Sequence, residues 1–265
     1  MENSSDNDTY TDDGETRQAS CEEHGPFVST FHRLRGHDGF WTSCAACREQ
    51  TRRLEEEKRE RKKRAETVRR VRIYSDFPSR HEGKGFDGFR AALKDQKTAA
   101  GIAARFAEAV IAGTAKPGAS LVFVGRPGTG KTHLATAIGE SLADNCVTVR
   151  YTTIPDLMRR LRASYARNAE ESEQEIIDAL ETTRVLILDE VGTDRSSDHD
   201  LRVLQELIDY RYRELQSTIV ISNLPMDELA AAIGERIVDR LRETSVVVAF
   251  NWSSHRVVAF EKSPS

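Results

Sequence analysis

Short apolar, β-branched runs recur along the later part of this chain: Leu121–Val124, Val185–Leu188, Thr218–Asn223 and Ser245–Phe250. Runs of this length bounded by glycine or polar residues predict buried strands. Cys146–Thr152 alternates apolar and polar positions, which predicts a further strand with Cys146 packed in its core. Between these runs the apolar period changes to that of a helix. Leu134, Ile138 and Leu142 share one face, Ile154–Leu161 and the Ala-rich Thr98–Ala112 read as helices, and Leu201–Leu215 places Leu204, Leu207, Ile208 and Leu215 at helical spacing. The tyrosines and arginines of that last helix are expected at the surface.

The earlier part of the chain lacks such a pattern. Residues 1–20 set Glu2, Asp6, Asp8, Asp12, Asp13 and Glu15 against Arg17, with little to bury, and are expected to be disordered. Arg48–Arg72 holds twelve Lys/Arg and six Glu, a balance of +6, with only Leu54, Ala65, Val68 and Val71 apolar. Strong helix formers with opposite charges as neighbours predict a helix, either a solvated linker or a basic face for nucleic acid or an acidic partner. Asp76-Phe-Pro-Ser breaks it. The expected organisation is an acidic tail over 1–20, a metal-binding module over 21–47, a charged helical linker over 48–75 and a large domain over 76–265.

The chemistry begins where the first run ends. Gly125-Arg126-Pro127-Gly128-Thr129-Gly130-Lys131-Thr132-His133 contains G-x-x-x-x-G-K-[ST] between a strand and a helix. Glycines let backbone N–H groups close around phosphate oxygens, and the helix N-terminus adds partial positive charge. Lys131 would reach the β- and γ-phosphates of ATP, and the Thr132 hydroxyl would hold Mg²⁺. About sixty residues on, Val185–Leu188 ends in Asp189-Glu190. At the end of a strand beside a P-loop, Asp189 would orient Mg²⁺ and Glu190 would polarise the attacking water. Asn223 ends the next run, as a sensor of the γ-phosphate or as a turn residue before Leu-Pro. Arg236 and Arg240, four apart, share one helix face and suit a neighbouring subunit's γ-phosphate. Arg159, Arg160, Arg162 and Arg167 surround Tyr165, as a grip for single-stranded nucleic acid or as a solvated face.

Cys21-Glu-Glu-His24 and Cys44-Ala-Ala-Cys47 form C-x₂-H and C-x₂-C pairs nineteen residues apart, the spacing of a tetrahedral Zn²⁺ site. His32 and His37 lie between the pairs and could replace His24. Phe27, Phe31, Phe40 and Trp41 would pack around the site or face a partner. At 265 residues and a formal charge of −4, the overall balance says little about partners. No apolar run approaches the roughly 18 residues of a membrane span. Met1-Glu-Asn-Ser-Ser-Asp is unlike a secretory signal, so a cytoplasmic protein with reduced cysteines is expected.

Taken together, the chain from about Asp76 to Phe260 resembles the DnaC-type replicative helicase loaders of the AAA+ superfamily. The resemblance rests on Gly125-Arg-Pro-Gly-Thr-Gly-Lys-Thr-His-Leu-Ala135, Leu188-Asp-Glu-Val-Gly192, Ser222-Asn223-Leu, Gly234-Glu-Arg-Ile-Val-Asp-Arg240-Leu and Phe250-Asn-Trp-Ser-Ser-His-Arg256. The Cys/His segment is similar to the zinc-binding region of phage and prophage relatives. The resemblance implies an α/β fold with a five-stranded parallel sheet of order 5-1-4-3-2 and no sizeable lid. It makes Lys131 and Thr132 Walker A residues, Asp189 and Glu190 Walker B residues and Asn223 sensor I. By the same likeness Arg240 is a finger acting in trans with Arg236 as helper, and Arg256 falls near sensor II. Arg160, Arg162 and Tyr165 fall in a helical insertion contacting single-stranded DNA. The implied protein is a Mg-dependent ATPase that assembles as a spiral homo-oligomer, grips a DnaB-type hexameric helicase through its N-terminal module and places it on single-stranded DNA. The alternatives are an IstB-type transposition ATPase acting with a transposase, and a non-catalytic adaptor clamped by nucleotide.

Overall fold

A computed structural model describes residues 11–33, 39–193 and 197–254. The chain divides into two compact units, Met1–Ala65 and Glu66–Ser265.

The first unit contains an antiparallel three-stranded sheet of β1 (Thr11–Cys21), β2 (Gly25–Arg33) and β3 (Phe40–Trp41), in that order. The strand β1 corrects the expectation of disorder for residues 1–20 over its described part; residues 1–10 lie outside the described residues. A polar segment of this kind is ordered by pairing rather than by burial. Arg17 sits opposite Ser29 and Ala19 opposite Phe27. The Arg17 guanidinium lies 4.3 Å from the Trp41 ring centroid, and Trp41 packs on Phe31 at 5.2 Å. Buried Ser29 donates to the Thr42 carbonyl at 2.6 Å. A 30-residue helix, α1 (Ala45–Tyr74), follows. Its early turns are exposed and carry the ion pairs Arg52–Glu49 at 2.8 Å and Arg52–Glu56 at 2.9 Å.

In the second unit, α2 (Lys94–Ile111), β4 (Ser120–Gly125), α3 (Lys131–Asp144), β5 (Val149–Thr153), α4 (Ile154–Ser164), α5 (Glu173–Thr182) and β6 (Val185–Asp189) come first. Next are α6 (Asp198–Arg213), β7 (Ser217–Ser222), α7 (Met226–Ile233), α8 (Glu235–Thr244) and β8 (Ser245–Phe250). The five strands are parallel in the order β5-β6-β7-β4-β8. Counted in chain order from β4, that is the expected 5-1-4-3-2 read from the opposite edge.

Strand alternation divides the core into two layers. Leu121, Phe123, Tyr151, Val185, Ile187, Ile219 and Ile221 face one side, with Leu134, Ile138 and Leu142 of α3. Val122, Val124, Leu186, Leu188 and Val220 face the other, with Leu204, Leu207 and Ile208 of α6. The strands are apolar on both faces because helices cover both. The unit starts at Glu66, ahead of Asp76, because the end of α1 belongs to it. Val71 is buried in the first layer, Arg72 pairs with Asp144 at 2.7 Å, and the Ser75 carbonyl accepts from Tyr151 N at 2.8 Å on the edge strand.

Two local expectations are corrected. Cys146 is not in a strand: it sits half-buried in the turn after α3 at φ 61, and β5 begins at Val149. Arg211 of α6 is not at the surface. It is 1% exposed, and its guanidinium donates to the Leu180 carbonyl at 2.6 Å, to the Thr183 carbonyl at 3.0 Å and to Thr218 Oγ1 at 3.0 Å, as well as to the Ser217 carbonyl. It thereby ties the end of α5 to the start of β7, and burial lowers its pKa to about 9.

Candidate nucleotide site and Cys/His cluster

The strand β4 ends at Gly125, φ 130, where an added Cβ would lie 2.5 Å from the Phe250 carbonyl oxygen of β8. Only glycine allows this approach. The loop then turns through Gly128 at φ 77 and reaches Gly130 at φ 100, the N-cap of α3. A Cβ at Gly130 would meet the Phe89 ring at 2.6 Å. Among the described residues no side chain caps α3, so its first N–H groups are available to an anion. Two hydrogen bonds hold the loop: Trp252 Nε1 donates to the Thr129 carbonyl at 2.9 Å, and Thr129 Oγ1 donates to the Arg126 carbonyl at 2.8 Å.

Lys131 is 5% exposed. Its Nζ donates to the Gly125 carbonyl at 2.6 Å, the Arg126 carbonyl at 2.9 Å and Asn223 Oδ1 at 2.9 Å. These acceptors are neutral, and burial lowers the lysine pKa to about 8, with Asp189 opposing the shift. Thr132 Oγ1 donates to Asp189 Oδ2 at 2.7 Å, and buried Tyr151 donates to the same oxygen at 2.9 Å. Burial, and then the Asp189 charge, push the Tyr151 phenol pKa upward, so it stays a donor. Asp189 Oδ1 accepts from Glu190 N at 2.7 Å. Glu190 takes φ 59, uncommon for a residue with a side chain, and leaves the buried strand exposed. Lys131 is thus hydrogen-bonded to Asn223 and the next residue, Thr132, to Asp189, with Glu190 adjacent. A segment ahead of α2 lies against α3: His133 Nε2 donates to the Gly85 carbonyl at 3.0 Å, and the buried Glu140 carboxylate accepts from Gly83 N and Gly85 N.

The donors fit Mg-nucleotide. Glycines form a cradle that side chains would fill, a buried lysine has no carboxylate partner among the described residues, and a hydroxyl and a carboxylate meet beside it.

The other expected site residues lie elsewhere. Arg236 and Arg240 both reach Asp209 of α6, Arg236 at 3.3 Å, and Arg240 also lies 5.3 Å from the Tyr212 ring centroid. Arg240 is therefore packed against its own chain rather than protruding. Arg160 pairs with Glu171 at 2.8 Å, Arg159 pairs with Asp156, and Tyr165 is 59% exposed at the end of α4. The basic cluster is thus partly neutralised by its own carboxylates. Arg256 and His37 lie outside the described residues.

In the first unit, one ligand atom each from Cys21, His24, Cys44 and Cys47 gathers within 4.8 Å of the others. Cys21 Sγ lies 3.4 Å from Cys47 Sγ, and His24 Nδ1 lies 3.6 Å from Cys21 Sγ and 3.3 Å from Cys47 Sγ. Tetrahedral Zn²⁺ bonds of about 2.0–2.3 Å imply ligand edges of about 3.5–3.8 Å, close to these three separations, and three thiols with one imidazole are a donor set that suits that ion. Among the candidate histidines His24 enters the cluster, whereas the His32 ring packs against Phe40 at 5.8 Å.

The profile of the family described as IstB-like ATP binding protein matches residues 47–263. The chain belongs to this IstB/DnaC-like AAA+ family. It is 31% identical over 198 residues to the replicative helicase loader DnaC of Escherichia coli (strain K12), covering 74% of this chain and 79% of that protein. The crystal structure of the DnaC helicase loader matches with TM-score 0.57 and 26% identity, over 65% of this chain and 99% of that one. That of DnaI matches with TM-score 0.56 and 26% identity, over 66% and 95%. AMPPCP-bound DnaA from Aquifex aeolicus, at TM-score 0.55 and 17% identity over 66% of this chain and 51% of that one, shares the fold. This AAA+ chain is accordingly an ATP-binding P-loop protein of the helicase-loader type. Among the described residues no helix is long and apolar enough to cross a membrane. Sequence reasoning missed Tyr151 and Trp252 as neighbours of the site. Alternation within Val149–Thr153 marks Tyr151 as inward-facing, but only strand register brings it to Asp189.

Proposed function

We propose that this chain is an ATP-dependent loader that places a DnaB-type hexameric replicative helicase on single-stranded DNA, acting in the cytoplasm as a spiral homo-oligomer. The observation that carries the ATPase part is the meeting of Thr132 and Asp189 at 2.7 Å beside Lys131. Loading is supported by relatives named as replicative helicase loaders. These relatives favour it over a transposition ATPase.

In this reading the loop from Gly125 through His133 cradles the triphosphate, and Lys131 exchanges its carbonyl partners for phosphate oxygens. Thr132 and Asp189 hold Mg²⁺, which neutralises charge on the β- and γ-phosphates when bound. Glu190 orients the attacking water and accepts its proton as the new bond to the γ-phosphorus forms and the bond to the ADP oxygen breaks. Asn223 senses the γ-phosphate. Arg240, helped by Arg236, leaves Asp209 to reach the neighbouring subunit's nucleotide. Arg160, Arg162 and Tyr165 contact single-stranded DNA, which requires Arg160 to exchange Glu171 for phosphate. Cys21, His24, Cys44 and Cys47 hold Zn²⁺, and the unit they stabilise binds the helicase.

The test is helicase loading on single-stranded DNA by the full chain, with candidate hexameric replicative helicases and ATP. Wild type is expected to load one of them and Lys131→Ala none. Failure to bind any such helicase in any nucleotide state would overturn the loader assignment.

A further inference from the structure

Asp189 is fixed by more than the P-loop. The reading above gives no task to Tyr151, yet its phenol makes one of the three hydrogen bonds to that carboxylate. The placement follows from strand register. Tyr151 pairs with Ile187 and Thr153 with Asp189 across β5 and β6. Tyr151 and Ile187 share the layer facing α3. Two positions along the strand, Asp189 emerges on that same side, at the end that meets Thr132. A tyrosine here therefore fills the core with its ring and reaches the carboxylate with its tip.

We propose that Tyr151 is a positioning residue for the metal-holding carboxylate, a deepening that rests on the Mg-nucleotide reading above. A carboxylate has about four acceptor positions. Two donors on Oδ2 and the Glu190 amide on Oδ1 fix its plane and leave a free position on Oδ1. Without the phenol, the one donor left to Oδ2 among the described residues is the Thr132 hydroxyl, a group that the metal also claims. A buried phenol needs some acceptor in any fold. Here the acceptor is the one carboxylate joined to the P-loop threonine, so the bond acts on the metal site as well as on the core.

The test uses full-length protein and Mn²⁺ in place of Mg²⁺. Mn²⁺ affinity is measured by electron paramagnetic resonance with a non-hydrolysable ATP analogue bound, and analogue affinity is measured separately in EDTA. Tyr151→Phe keeps the ring and removes only the hydroxyl. It is expected to weaken Mn²⁺ on the order of tenfold, the typical cost of losing a partner behind a metal ligand, with metal-free analogue affinity unchanged within twofold. Equal Mn²⁺ affinity in variant and wild type would overturn the proposal. A parallel fall in both affinities would reduce Tyr151 to a packing residue and also overturn it. A wild-type complex with the analogue that takes up no Mn²⁺ when the ion is supplied would instead overturn the Mg-nucleotide reading, and this inference with it. A second measurement needs no variant. In wild type labelled with fluorotyrosine, Mn²⁺-analogue is expected to broaden one buried tyrosine ¹⁹F resonance strongly, and a spectrum without such broadening would contradict the placement.

Discussion

Replacing Lys131 by methionine is expected to make the nucleotide-free protein more heat-stable while removing ATP binding. Lys131 is buried among neutral acceptors, and its pKa falls from 10.5 to about 8. That difference corresponds to a penalty of about 3 kcal/mol for keeping the charge in the fold at pH 7. Methionine keeps the apolar stem and removes the charge. The carbonyls of Gly125 and Arg126 and the side chain of exposed Asn223 then turn to water, which returns part of the gain. A net gain of about 1–3 kcal/mol raises Tm by roughly 3–10 °C for a unit of this size. The pH dependence has a definite sign. Below about pH 8 the lysine is charged both folded and unfolded, so wild type bears the whole penalty. Between about 8 and 10.5 the folded state loses its proton first, so wild type gains stability and the difference between the proteins closes. Calorimetry of both proteins from pH 7 to 10, without nucleotide, measures this directly. A Tm for Lys131→Met below that of wild type at pH 7, or a difference independent of pH, would show that burial does not penalise the lysine charge.

Three further outcomes are expected. Arg211→Met should lower Tm by about 10 °C or more, because it strands several buried acceptors at a cost of roughly 3–5 kcal/mol, and a loss under about 3 °C in a melt would contradict that role. Gly125→Ala should reduce ATP affinity at least tenfold, since a Cβ cannot share space with the Phe250 carbonyl, and titration with a fluorescent ATP analogue checks it. Cys44→Ser should lose bound zinc by elemental analysis while leaving nucleotide affinity unchanged; full zinc retention would eliminate this ligand set.

What could be read from the residues was whatever a local pattern encodes. Glycine spacing around Lys131, the apolar run ending at Asp189-Glu190 and the paired Cys/His knuckles are each written within a few positions. The structure brings the members of each group together. What was missed depends on partners distant in sequence. The strand β1 is polar and acquires its order from β2 and from the stacking of Arg17 on Trp41. Arg211 looks like any surface arginine until α5 and β7 supply its acceptors. The alternation of its neighbours predicts that Cys146 opens a strand, yet the chain needs that position for a left-handed turn out of α3. Arg240 is legible as a motif residue, but its pairing with Asp209 comes from the packing of α8 beside α6.

The proposed function requires one constellation at the ends of β4, β6 and β7 to bind and hydrolyse Mg-ATP. Steady-state ATP turnover by wild type and by Glu190→Gln, with ATP binding measured on the same samples, tests it most directly. Mg-dependent turnover is expected of wild type, with a fall of about a hundredfold or more in Glu190→Gln and binding retained. Equal rates in the two proteins would contradict it.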